Sequence, residues 1–167
     1  MTIRQKLADE LHAALEKNLV SIAEYGPTSS KGGLTPSLLV VLDSVSQDHL
    51  DLMRKPIRDA MKQDAIGVMT LTENELMRSA DVFPIKFRSI KQNGKTLHGK
   101  DLIAKMDVPN SHLRLRCEQE LKNLSLRLRQ KYLQAHSSPK QKLSFLSSVS
   151  RSFTQNLAVL AELKDGK

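Results

Sequence analysis

The stretch 19–43 constrains the fold more than any other: Leu-Val-Ser-Ile-Ala-Glu-Tyr-Gly-Pro-Thr-Ser-Ser-Lys-Gly-Gly-Leu-Thr-Pro-Ser-Leu-Leu-Val-Val-Leu-Asp. Two apolar runs, Leu19–Ala23 and Leu38–Leu42, flank a loop dense in Gly, Pro, Ser and Thr. Both runs are short and bounded by breakers, which predicts buried strands rather than helix segments. Gly26, Gly32 and Gly33 allow the connecting loop backbone conformations that a Cβ resists.

Helical and strand periods alternate around this unit. Ile3, Leu7, Leu11, Ala14 and Leu15 fall on one stripe, so Thr2–Lys17 reads as an amphipathic helix with Thr2 at its cap. A second helix of about 18 residues starts at Ser46, with Leu50, Met53, Ile57, Ala60 and Met61 inward and Pro56 as a kink or break. Ala65–Leu71 is a third apolar strand, and Thr72-x-x-Glu75 has the capping-box pattern of a short helix. Val82–Lys91 alternates, with Phe83, Ile85 and Phe87 opposite Pro84, Lys86 and Arg88, which predicts an edge strand. Asn93-Gly94 then predicts a tight turn to a hairpin partner, Lys95–Gly99, before a short helical stretch from Asp101 to Met106.

From about Pro109 glycine disappears until Gly166, and two long helices follow. The seam of the first is Leu113, Cys117, Leu121, Leu124, Leu128, Tyr132 and Ala135; that of the second is Leu143, Leu146, Val149, Phe153, Leu157 and Leu160. Ser137-Ser138-Pro139 separates them by a turn short enough to make them antiparallel neighbours. The expected fold class is α+β: a mixed sheet with flanking helices over 1–106 and a C-terminal helical hairpin over 107–167.

Hydrophobic residues make up 40% of the 167, enough for a core, while aromatics are 4% and Trp is absent. No apolar stretch approaches the roughly 20 residues that cross a bilayer, and no h-region follows Met1-Thr2-Ile3-Arg4-Gln5-Lys6. A cytoplasmic location and no membrane partner are expected. The single cysteine, Cys117, reads as a half-buried small hydrophobe rather than a nucleophile. The five His (His12, His49, His98, His112 and His136) lack ligand spacing on one element, so no zinc site is expected.

The strand, glycine loop, strand unit resembles the start of a nucleotidyltransferase domain of the DNA polymerase beta superfamily. Ser79-Ala80-Asp81-Val82-Phe83-Pro84-Ile85, with 112–120 and 126–130, is similar to a bacterial group known as nucleotidyltransferase domain-like. The resemblance implies a minimal nucleotidyltransferase domain over 19–105, with the helical hairpin as its partner domain. In that superfamily Gly-Ser opens the loop and Asp-x-Asp begins the next strand. Here Gly26 is followed by Pro27, and the carboxylate pair falls on Thr35 and Ser37.

Nucleotidyl transfer is an in-line displacement assisted by two divalent ions held by carboxylates, and Mg²⁺ prefers such oxygens. Thr35 and Ser37 offer neutral hydroxyls, and Lys86 and Arg88 stand where a third carboxylate is expected. Those two cations suit a phosphate rather than a metal. Pro27 removes one backbone donor, yet Ser29, Ser30, Lys31 and the Gly32 and Gly33 amides can cradle an anion; a plain surface loop is the alternative. Arg114, Arg116, Arg127, Arg129 and Lys131 form a second basic group, read either as a solvated face paired with Glu118 and Glu120 or as a nucleic-acid contact.

These readings lead to a catalytically degenerate nucleotidyltransferase-fold protein that serves as a nucleotide- or anion-binding or assembly module, without a cofactor. One alternative is an active enzyme using Mg²⁺ on displaced carboxylates, Glu24, Asp43 or Asp81. Another is a nucleic-acid-binding protein drawn by the net charge of +8. Leu115, Leu126, Leu133, Phe145 and Leu163 lie off the two hairpin seams and need cover, which predicts a homodimer.

Overall fold

Four strands, β1 (Leu19–Tyr25), β2 (Ser37–Leu42), β3 (Gly67–Thr72) and β4 (Lys95–Gly99), form a mixed sheet in the order β3-β2-β1-β4. The computed structural model describes residues 2–26, 36–134 and 139–164. β1 runs antiparallel to both β2 and β4, whereas β2 and β3 are parallel. Every residue of β2 is buried, as its unbroken apolar run predicts for a central strand covered on both faces. The class is α+β, with helices α1 (Ile3–Leu15), α2 (Gln47–Met61), α3 (Glu73–Val82), α4 (Pro84–Asn93), α5 (Asn110–Gln134) and α6 (Pro139–Lys164).

The chain divides into two compact units: Met1–Val82 with Lys86–Asp107, and Phe83–Ile85 with Val108–Lys167. In the first, Leu7, Leu11 and Leu15 of α1 meet Ile22, Leu38, Val40 and Met53 in one buried cluster. Each fully buried Leu there contributes about 1.5–3 kcal/mol. Side chains fix where the helices begin. Thr2 Oγ1 accepts from the Gln5 N–H at 3.2 Å, and Ser46 Oγ from the His49 N–H at 3.2 Å. Thr72 and Glu75 form the predicted reciprocal box, with the Thr72 N–H donating to Glu75 Oε2 at 2.8 Å and the Glu75 N–H to Thr72 Oγ1 at 3.2 Å. α2 continues through Pro56, and Leu50 and Met61, expected inside, are exposed.

The predicted strand over 82–91 is a helix. Pro84 occupies the first position of α4, where its missing N–H costs nothing and its fixed φ suits the helix. Pro84, Phe87 and Ile90 are buried at a spacing of three, while Lys86 is exposed. Alternation over three apolar residues does not distinguish a strand from a helix, and Pro84 marks the helix start rather than a sheet edge. The predicted hairpin at Asn93-Gly94 is therefore absent. The Gly94 N–H closes α4 on the Ile90 carbonyl at 2.7 Å, and β4 pairs with β1 instead. Asp101–Met106 forms two overlapping turns rather than a helix, closed by Lys105 N–H to Leu102 O and Met106 N–H to Ile103 O, each 3.2 Å.

In the second unit the start of α5 lies against the end of α6: Leu113 and Cys117 cluster with Val159, Leu160 and Leu163. The two helices are thus antiparallel. The α6 seam differs from the predicted one. Asn156 and Val159 are buried, whereas Leu143, Leu146, Phe153 and Leu157 are exposed, and Tyr132 of α5 is exposed as well. Ala135 and Ser137-Ser138 of the predicted turn lie outside the described residues. Among the described residues no helix is long and apolar enough to cross a membrane.

Candidate functional site

The end of β1 and the start of β2 carry the residues that sequence reasoning singled out. Gly26 ends β1 with φ 79°, a left-handed conformation that glycine adopts without steric cost. Pro27, Ser29, Ser30, Lys31, Gly32, Gly33 and Thr35 lie outside the described residues. Beyond them the chain re-enters at Pro36, whose carbonyl accepts the Gly67 N–H at 2.8 Å and so ties the start of β2 to the start of β3.

Ser37 opens β2 directly opposite Tyr25 of β1. Directly opposed residues of an antiparallel pair project from the same face. The Tyr25 hydroxyl is hydrogen-bonded to the Ser37 side chain. Burial pushes the Tyr25 phenol above its ordinary value, and the bond to Ser37 partly opposes that. Ser37 itself is buried.

The neighbouring residue faces the other way. Glu24 pairs with Leu38 on β2 and Lys95 on β4, and its carboxylate meets the Arg4 guanidinium of α1 at 3.2 Å. The Arg4 side chain is 9% exposed and that of Glu24 22%, so this is a largely desolvated pair. Arg4 also lines a cleft of about 80 Å³ with Thr2, Pro36, Asp64 and Ala65, room for a few waters.

The remaining acidic and basic candidates lie outside the β1–β2 pair. Asp43 is exposed beyond the far end of β2, roughly 17 Å along the strand from Leu38, the partner of Glu24. Its N–H donates to the Asn18 carbonyl at 2.9 Å. Asp81 is exposed on the last turn of α3. Lys86 and Arg88 sit on α4, not on a strand, with Lys86 exposed and Arg88 half-buried. β2, β3 and β4 contain no Asp or Glu; Glu24 is the one carboxylate in the described strands. Among the described residues no group of three His, Cys, Asp or Glu is arranged to hold a metal ion.

Outside this end of the sheet, Arg114 and Arg116 pair with Glu118 and Glu120 one turn along α5, at 3.1 and 2.8 Å. The solvated, paired face is thus present for those two arginines. Cys117 is buried, and burial raises its thiol above the ordinary value, with Glu120 adding to the effect. Sequence reasoning missed the Arg4–Glu24 pair and the role of Tyr25. Tyr25 carried a usable signal, as one of two tyrosines in the chain and the residue directly before the loop glycine.

No family model matches the sequence, and a comparison with curated proteins found no match. Its structure is similar to the spectinomycin adenyltransferase AAD(9) from Enterococcus faecialis, solved with ATP and spectinomycin. The TM-score is 0.50 at 15% identity, over 96% of this chain and 90% of that one. At that identity the likeness establishes a shared nucleotidyltransferase-like fold.

Proposed function

We propose that this chain, a relative of the nucleotidyltransferase domain-like bacterial group, is a cytoplasmic nucleotide- or phosphate-binding and assembly module that has lost metal-dependent transfer. One observation carries the reading. At Ser37, where the resembled superfamily has a metal-binding carboxylate, a neutral hydroxyl is buried and bonded to Tyr25. β2, β3 and β4 supply no acidic residue to replace it. Such a donor set fits Mg²⁺ poorly, because hydroxyls lack the charge that offsets the ion's dehydration. The Arg4 guanidinium already neutralises Glu24.

Phosphate binding is assigned to the loop after Gly26, with Ser29, Ser30, Lys31 and the amides of Gly32 and Gly33 as its donors. Lys86 and Arg88 are further candidate contacts. The structural neighbour was solved with ATP, which makes ATP the first ligand to test. Calorimetric titration with ATP should give the same affinity with and without Mg²⁺, weakened by Lys31→Ala. Transfer of radiolabelled nucleotide into a product, abolished by Ser37→Ala, would overturn the reading.

The assembly role rests on the hairpin. Leu115, Leu126 and Leu133 are exposed on α5 at spacings of 11 and 7, which place them on one stripe. Leu143, Leu146, Phe153 and Leu157 form a second exposed stripe on α6. Contiguous apolar surface of this kind marks protein contacts, and a two-fold homodimer is its commonest form.

A further inference from the structure

The two edges of the sheet are built differently. β4 is blunted in three ways: Lys95 opens it, its register with β1 shifts between Ile22 and Ala23, and Gly99 leaves it at φ 77°. Charge, bulges and tight bends are the usual devices that prevent a further strand from adding. β3 has none of them. Gly-Val-Met-Thr-Leu-Thr holds no charge and no proline, and all six residues pair with β2 in unbroken parallel register.

The direction of the free groups follows from one bond. The Gly67 N–H points toward the Pro36 carbonyl, on the β2 side. Alternation along the strand then turns the N–H and C=O groups of Val68 and Thr70 outward. The Thr72 N–H also points outward and is taken by Glu75 at 2.8 Å, which ends the open stretch. Val68 and Thr70 also line a groove of about 550 Å³ between β3 and α2, with Leu50, Met53, Ile57 and Met61 as its apolar wall. Arg58 and Arg54, the latter paired with Asp51 at 3.0 Å, line it too, and no acidic residue does.

We propose that this edge and groove take up an extended, acidic and apolar peptide segment of a partner protein as an added strand. The main chain of the segment pairs with Val68 and Thr70, its alternate apolar side chains enter the groove, and its carboxylates meet Arg54 and Arg58. Charge favours this occupant over a second copy. Pairing β3 with β3 across a two-fold axis brings the arginines of both copies together, on chains that each carry +8.

The test uses the full chain and a fluorescein-labelled peptide of about ten residues that alternates isoleucine and glutamate, read by anisotropy. Binding should weaken with salt and disappear when lysine replaces glutamate in the peptide. Arg58→Glu, on an exposed helix face, should abolish it. Thr70→Pro removes one outward N–H while sparing the β2 ladder and should weaken binding about tenfold, with the circular dichroism of both variants unchanged. The proposal is overturned if the peptide does not bind, or binds both variants as tightly as the parent. It is also overturned if sedimentation shows a dimer that Thr70→Pro dissociates, since the occupant is then a second copy. ATP binding by the loop after Gly26 plays no part in these measurements, so this proposal and the proposed function fail separately.

Discussion

Tyr25 and Ser37 face each other across the β1–β2 pair, and the phenol of one is hydrogen-bonded to the hydroxyl of the other. The contact closes the sheet where the chain leaves for the glycine loop and returns from it.

That contact has a titration signature. Burial raises the Tyr25 pKa first, and Ser37 opposes it second. A raised folded-state value means that this contribution to stability is fully present below the ordinary tyrosine value and is lost as pH rises through the folded one. In a Tyr132→Phe background Tyr25 is the last of the two tyrosines, so phenolate absorbance reports it alone. It should ionise above the ordinary value, and Ser37→Ala should move it higher still. Ionisation at or below the ordinary value would show that the contact does not form.

The ion pair between Arg4 and Glu24 joins α1 to the end of β1, one residue before Tyr25. Removing one partner strands the other in a largely desolvated position. Arg4→Ala should therefore destabilise the chain by about 2–3 kcal/mol, below the range for fully buried pairs because Glu24 retains some solvent. Urea unfolding of Arg4→Ala, Glu24→Leu and the double variant gives the check. The double variant should lose less than the sum of the singles; strict additivity would rule out a coupled pair.

Most of the first unit was legible because its elements follow a single period. The stripe of Leu7, Leu11 and Leu15, the unbroken run of β2 and the Thr72–Glu75 box each have one physical reading, and each is observed. α4 was not legible, since Phe83, Ile85 and Phe87 satisfy a strand period while Pro84, Phe87 and Ile90 satisfy a helical one. Only burial chose between them. On α6 the apolar residues cover more than one face and Asn156 stands among the buried ones, so of the predicted seam Leu160 packs against α5 while Leu143, Leu146, Phe153 and Leu157 stay exposed. The Tyr25–Ser37 and Arg4–Glu24 contacts join residues on separate elements, which periodicity along one element does not specify.

Gly99 is a site where any side chain should be costly. Its φ of 77° lies in the left-handed region, and an added Cβ would collide with the Val20 carbonyl, which already accepts the Lys100 N–H at 3.0 Å. Gly99→Ala should cost about 2–3 kcal/mol in thermal or urea unfolding, combining strain at φ with displacement of β4 from β1. A change under about 0.5 kcal/mol would mean that β4 is not held as described.

The hairpin carries the prediction about assembly. Leu133 is 83% exposed and Leu143 67%, and each belongs to a stripe that continues along its helix. Covering one Leu stabilises by about 1.5–3 kcal/mol, so two stripes supply enough driving force to hold a dimer once the cost of association is met. Sedimentation equilibrium at roughly tens of micromolar protein should show a species of twice 18.7 kDa. Leu126→Glu adds a charge to the α5 stripe at an exposed position and should dissociate that species without unfolding the chain. Lys31→Ala, in the loop assigned to phosphate, should leave it intact. A clean 18.7 kDa species for the parent protein would refute the dimer. Loss of the dimer in Lys31→Ala but not in Leu126→Glu would move the contact from the hairpin to the nucleotidyltransferase-like unit.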